Sequence, residues 1–377
     1  MPTTLESYEG ARAWLASVVG GAPAVWPIDI ELPVAGLVEE AQREGVVAMV
    51  DWQLQRAAAR GDTAVPLAVR QAFSAAARGA ALLSMLFQAE SITILEAMAA
   101  AGIPGLLLKG NALAYWAYPQ PHCRECNDVD LLVPSREAAE TLAATLQQRG
   151  YERFETSGGL VAYELMCRRR LAGDFQPEVD IHWRLANSVL FADVFSFEEL
   201  MADSIALPGL GATARGLGPV HACIHACVHR ALNLSVGIPD RLKWLCDIEL
   251  VVRGFDAADW SRLVELSIGR GLAGVVLSAL EAAGSAFRRN LPREVEVALS
   301  DAEGVERLDA GRLSDWRYMQ GMAFKALPTL GSRFRWTWQR MFPSKAYMGY
   351  LYGAPGKSYL GLVGLRLRKL LTRLRSF

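Results

Sequence analysis

A chain of 377 residues that is 52% hydrophobic and 21% charged has ample apolar side chains for more than one buried core. That balance excludes an intrinsically disordered chain, and the formal net charge is only −1. The opening MPTTLESYEG has no basic stretch followed by an apolar one, so a cytoplasmic protein is expected, and its six cysteines show no disulfide framework.

The charge is unevenly spread. From Trp316 to Phe377 there are twelve Lys or Arg and no Asp or Glu, while the preceding 315 residues carry 27 basic and 40 acidic side chains. Such a tail suits an anionic partner, so the location expected is cytoplasmic or peripheral at the inner membrane face.

In chain order, the first hundred residues read as helices, with Leu67 to Ala101 the clearest. Within it Leu82, Leu83, Leu86, Ile92, Ile94 and Leu95 predict an apolar stripe. Leu82 to Leu108 raises the question of a membrane span, but Glu90 and Glu96 interrupt it and Pro104-Gly105 breaks it, so a buried helix followed by a strand is expected. Strands are predicted over Ile103–Leu108, Asp128–Val133, Leu160–Cys167 and Glu178–Trp183. Asn111 to Ala117 can form a helix between the first two, and Ser135 caps a further helix that runs to Gln148 and ends at Gly150. Beyond residue 205, His221–Ala231, Arg241–Val252, Trp260–Ser267 and Leu272–Ala283 have helical periodicity. Gly353-Ala-Pro-Gly-Lys-Ser358 lacks the spacing of a phosphate loop and reads as a turn. Near the end, Leu365 to Leu374 predicts an amphipathic helix whose Leu367, Leu370, Leu371 and Leu374 dock onto the protein.

Asp128-Val-Asp130 carries the strongest chemical signal. Alternate residues of a strand share a face about 6.5 to 7 Å apart, so both carboxylates can reach one metal centre while Val129 packs inward. Glu178-Val-Asp180-Ile-His182 repeats the pattern: Asp180 and His182 share one face and Val179 and Ile181 the other. If the two strands pair, Asp180 becomes a third carboxylate, and three converging acids call for a cation. Upstream, Leu106-Leu-Leu-Lys109-Gly110-Asn111 is a strand entering a turn, where backbone N–H groups and the Lys109 amine suit a phosphate. His221, His225 and His229 recur at helical spacing, and a zinc site with Cys123, Cys126 and His122 would lack a paired second knuckle. His225 and His229 are instead expected to face the sheet and to hydrogen-bond in the domain interface or near substrate. Lys243 and Asp247 lie one helical turn apart, as an ion pair or, for Lys243, as a phosphate contact.

Lys109-Gly110, Tyr118-Pro119, Arg124, Asp128 to Val133, Gly150-Tyr151 and Val179 to Trp183 resemble the bacterial family of uncharacterised nucleotidyltransferases, within the DNA polymerase beta-like superfamily. Ile224 to His229, Arg241 to Ile248 and Phe342-Pro-Ser extend the resemblance over roughly residues 80 to 365. It implies an α+β fold: a polymerase beta-type core, with a small mixed sheet, flanked by helical N-terminal and C-terminal regions. The expected parts are a helical region 1–101, the catalytic core 102–205, a helical domain 206–315 and the basic segment 316–377. It also implies Mg²⁺ or Mn²⁺ as cofactor and an NTP as donor, with a modified peptide or polysaccharide precursor as acceptor. There is no specific nucleic-acid motif. Asp128, Asp130 and Asp180 would be the catalytic metal ligands; Lys109, Gly110, Asn111, Arg124 and Lys243 would hold the nucleotide; His182, His225, His229 and Asp247 would border the substrate. The superfamily commonly has Gly-Ser where this chain has Gly110-Asn111. A catalytically silent member of a biosynthetic complex, or a transferase with a phosphorylated sugar donor, remain the alternatives.

Overall fold

The computed structural model describes residues 4–23, 26, 33–62, 64–154, 158–171, 175–354 and 356–375. Helices α1 (Thr4–Val19), α2 (Val34–Glu44), α3 (Val47–Ala59) and α4 (Leu67–Ala100) lead into β1 (Leu106–Leu107) and α5 (Lys109–Leu113). There follow β2 (Asp128–Leu132), α6 (Arg136–Gln148), β3 (Glu152–Phe154), β4 (Glu164–Arg168), β5 (Glu178–His182), α7 (Phe197–Ala202), β6 (Ile205–Ala206) and β7 (Arg215–Gly216). The rest is helical: α8 (Pro219–Ser235), α9 (Leu242–Val252), α10 (Ala257–Gly269), α11 (Ala273–Phe287), α12 (Arg293–Glu303), α13 (Trp316–Ala326), α14 (Leu330–Met341), α15 (Lys345–Leu351) and α16 (Tyr359–Arg375). The protein is thus a mixed α+β structure. Its chain divides into two compact units: Met1–Leu95, Leu106–Val129 and Leu200–Trp316 form the first, and Glu96–Gly105, Asp130–Glu199 and Arg317–Phe377 the second.

In the first unit β1 runs parallel to β7, and β7 pairs antiparallel with β6. Its core is helical. Pro219 opens α8, where its missing N–H costs nothing, and Cys223, Ile224, Cys227 and Val228 are buried where α8 meets α9, α10 and α11. Charged groups fix the helix ends. Arg230 forks onto both oxygens of Asp240 at 2.8 and 2.7 Å, and buried Glu44 accepts from the Leu242 N–H at 2.6 Å and from Arg12 Nε at 3.1 Å. Glu44 therefore places a carboxylate on the positive end of α9.

The second unit holds β3, β4, β5 and residues 130–132 of β2, in that order. β4 is antiparallel to both β3 and β5, with Glu164 opposite His182 and Met166 opposite Asp180. Helix α6 covers these strands: Ala139, Leu142, Ala143 and Leu146 are fully buried, and Ser135 caps the helix by accepting from the Ala138 N–H at 3.2 Å. The basic C-terminal segment belongs to this unit. Ala323, Leu327 and Trp336 form a core with Leu160, Val161, Val189 and Leu190, and Gln339 accepts from the Leu160 N–H at 3.0 Å.

Several sequence expectations shift. The strand expected from Leu160 begins only at Glu164, because Leu160 and Val161 pack into that C-terminal core. Strands β3, β6 and β7, two or three residues each, were not expected, and α5 starts at Lys109. Helix α4 is the one helix among the described residues long and apolar enough to cross a membrane by length and composition. Ile94, Leu95 and the charged Glu90 are buried in it, but Leu82 and Leu83 of the expected stripe are exposed. Helix α16 does form, yet its leucines are not docked as expected: Leu367 and Leu371 are exposed, while Leu362 is the covered one. The side chains of Leu370 and Leu374 lie outside the described residues.

Candidate functional site

In β5, Val179 and Ile181 are wholly buried on one side, which turns Asp180 and His182 to the other. In β2, Asp130 is 2% exposed between the buried Val129 and Leu131. Among the described residues, Asp130, Asp180 and His182 are the set of side chains that could hold a metal ion, with ligand atoms all within 4.8 Å of one another. His182 Nε2 lies 3.1 Å from Asp130 Oδ1, and its Nδ1 lies 3.4 Å from Glu164 Oε2. With the proton on Nε2, the imidazole donates to Asp130 and fixes that carboxylate's orientation. Two carboxylates this close, one of them buried, repel unless a cation or proton sits between them. The oxygen donors suit Mg²⁺ or Mn²⁺, and the imidazole adds a nitrogen that Mn²⁺ tolerates better than Mg²⁺.

The first unit carries the other expected residues. Lys109 has φ of +50°, an uncommon conformation for a residue with a side chain, at the turn from β1 into α5. Gly110 has no room for more: a Cβ there would come within 2.8 Å of Arg124 Nη1 and 2.9 Å of Cys126 Sγ. Asn111 is buried and donates its side-chain amide to the Asp128 carbonyl, so it anchors the turn to the start of β2. Arg124 is buried and each of its three nitrogens is engaged. Nε and Nη2 meet the two Asp247 oxygens at 2.7 and 2.8 Å, and Nη1 donates to the Glu125 carbonyl at 2.6 Å. The Tyr118 hydroxyl donates to Asp247 Oδ1 at 2.7 Å. Asp247 is thus engaged by Arg124 and Tyr118, which lie on either side of the turn Pro121 to Cys123 in the chain.

Electrostatics follow from this burial. Burial opposes the Arg124 charge, but Asp247 more than restores it and holds the guanidinium protonated. Burial, then the Asp247 charge, pushes the Tyr118 hydroxyl well above its ordinary range. Burial, aided by the nearby Arg124 charge, holds the Lys243 ammonium below its usual value, and burial raises Glu125. Lys243 makes no hydrogen bond or ion pair among the described residues; its stem packs against Gly45. Lys109, Trp116, Arg124, His225, His229 and Asp247 line one small recess, and the His229 ring meets Trp244 edge-on at 5.5 Å. His221, by contrast, is wholly buried and bonds Asp203 at 2.8 Å.

The structure therefore gathers Asp130, Asp180 and His182 in one unit and Lys109, Arg124, His225, His229 and Asp247 around one recess in the other. Glu164 and Tyr118 were not singled out by role. Glu164 is found only through the β4–β5 register, and Tyr118 stood in the quoted Tyr-Pro pair. A comparison with curated proteins finds no match. The model of a family described as uncharacterised nucleotidyltransferase matches residues 33–288, more than half of the chain. The match starts earlier than the resemblance drawn above and stops short of Phe342-Pro-Ser. With that span matched, the chain belongs to the uncharacterised nucleotidyltransferase family.

Proposed function

We propose that this chain moves a nucleotidyl group from an NTP to a hydroxyl or phosphate of a biosynthetic acceptor, a modified peptide or a polysaccharide precursor, with Mg²⁺ or Mn²⁺ as cofactor. The observation that carries the reading is the meeting of Asp130, Asp180 and His182 on two strands of a chain in this family. Asp128, two residues before Asp130 on the same strand, is not one of the three clustered side chains and stands as a further candidate ligand by strand alternation alone. When bound, the cation supplies charge neutralisation for the phosphates and the departing pyrophosphate. Asp130 and Asp180 would hold it, with His182 keeping Asp130 oriented. Lys109 and Gly110 contact the triphosphate at their turn, and Asn111 and Arg124 hold that turn in place through Asp128 and Asp247. Lys243, with its charge already disfavoured by burial, gains from a phosphate partner. His225, His229 and Asp247 border the recess.

The test is direct. Purified protein is incubated with Mg²⁺ and each NTP in turn, with pyrophosphate release and mass addition in a cell extract as readouts. Asp130→Asn and Asp180→Asn should each lower turnover by at least about 100-fold while the melting curve stays cooperative. Full turnover in either variant, or in excess chelator, overturns the proposal.

A further inference from the structure

The C-terminal segment of the second unit has a surface that the family match does not reach, since the match ends at residue 288. Helix α14 places Leu330, Phe334 and Trp338 four residues apart on one face, and they are 80%, 70% and 56% exposed. Phe334 and Trp338 stack at 6.3 Å, and Trp338 meets Phe342 at 4.5 Å, so the stripe is ordered by its own rings. The opposite side of α14 holds the buried Trp336 and Gln339's bond to Leu160, which fixes the helix on the unit. Helix α16 presents a second stripe, Leu360, Leu367 and Leu371, at 81%, 38% and 55% exposure. Its Arg366 donates to the Arg340 carbonyl at the end of α14 at 2.8 and 2.6 Å. Lys325, Arg335, Lys345, Lys357, Arg368 and Lys369 of the same segment are exposed, and residues 317–377 contain no Asp or Glu at all.

We propose that α14 and α16 form a peripheral membrane-binding surface that seats on an anionic bilayer. Leu, Phe and Trp beside Lys and Arg are the side chains that an interfacial helix uses, the apolar ones entering the acyl boundary and the cations meeting lipid phosphates. The helices lie on the membrane and do not cross it: twelve residues of α14 reach about 18 Å, short of the roughly 30 Å hydrocarbon core. A basic segment with no acids of its own selects anionic lipid, each cation near the headgroups strengthening binding about fivefold. A protein interface would instead be depleted of charge around its aromatic centre. A nucleotidyltransferase held on such a surface is placed beside lipid-linked acceptors, but the membrane contact itself does not depend on the catalytic reading.

The full chain is floated with vesicles of phosphatidylcholine alone and of phosphatidylcholine with phosphatidylserine. Binding at least about tenfold stronger to the anionic vesicles, lost at high salt, is expected. Phe334→Ser with Trp338→Ser should abolish flotation, and Arg335→Glu with Arg368→Glu should remove the lipid selectivity; all four positions are exposed, and melting curves check that the fold is kept. Equal binding to both vesicles, binding to neither, or binding to heparin alone overturns the proposal. So does light scattering that shows a dimer dissociated by the Phe334/Trp338 variant, which would make the stripe a self-association face.

Discussion

Arg124 spends its planar fork on Asp247, 123 residues later in the chain, and both partners are almost fully buried. Removing one partner of such a pair strands the other charge in a poorly solvated place, at a cost of about 3–5 kcal/mol, whereas removing both together costs far less. Arg124→Met should therefore destabilise the protein strongly in urea, and Arg124→Met with Asp247→Leu should recover much of the loss. Lys243 behaves in the opposite sense. Its folded pKa lies below the ordinary lysine value, so between the two values the unfolded chain binds more protons and stability rises with pH. Lys243→Met should melt higher than the parent at neutral pH, and the gap should close as the pH approaches about 10.4. On the proposed phosphate contact, the same variant should also transfer nucleotide more slowly. The strands that bring Asp130, Asp180 and His182 together were legible in sequence because alternation is local: it needs only a strand to set Asp180 and His182 on one face, whereas Asp128 lies outside the cluster. The Asp247 partnership was not, because helical spacing offered Lys243 as its neighbour and nothing local points across 123 residues to Arg124.

At the scale of elements, helix α6 shows why periodic segments are the readable ones. Its cap, its buried face and the Gly150 exit at φ of +87° all stand in a single stretch of chain. Ser135→Ala should cost about 1 kcal/mol, and Leu142→Ala about 2–5 kcal/mol, since Leu142 is wholly buried. Chemical denaturation of each variant checks the order. The turn from β1 to α5 is tighter still. Gly110→Ala has its Cβ wedged between Arg124 and Cys126, so the Arg124 fork must give way, and the variant should lose stability even though alanine favours helix. Strands β3, β6 and β7 carry too few residues for any period to register, and only their pairing makes them strands. The exposed leucines of α16 mark the opposite lesson: amphipathic spacing says that a helix has two faces, not which one the protein covers.

For the whole molecule, each unit is assembled from three stretches of chain, which no reading of consecutive segments brings out. The second unit needs its last stretch for packing, because Trp336, Leu327 and Ala323 close over Leu160, Val161, Val189 and Leu190. A chain stopped after Trp316 should keep the protection of α8, α9 and α11 in hydrogen exchange, while the amides of β4 and β5 lose theirs. Protection of β4 and β5 equal to that of the full chain would show that the unit closes without its final helices.

The same interleaving sets an order of events during synthesis. The ribosome delivers the stretch 130–199, with Asp130, Asp180 and His182, long before residues 317–377 that complete its core, and in the interval it makes the helices α8 to α12 of the other unit. A nascent chain therefore carries a finished helical body and an open acidic sheet until the final helices emerge. This part of the protein can first become compact once residues 317–377 have emerged, and chains ended before them would be left with Leu160 and Val161 uncovered for chaperones and proteases to find.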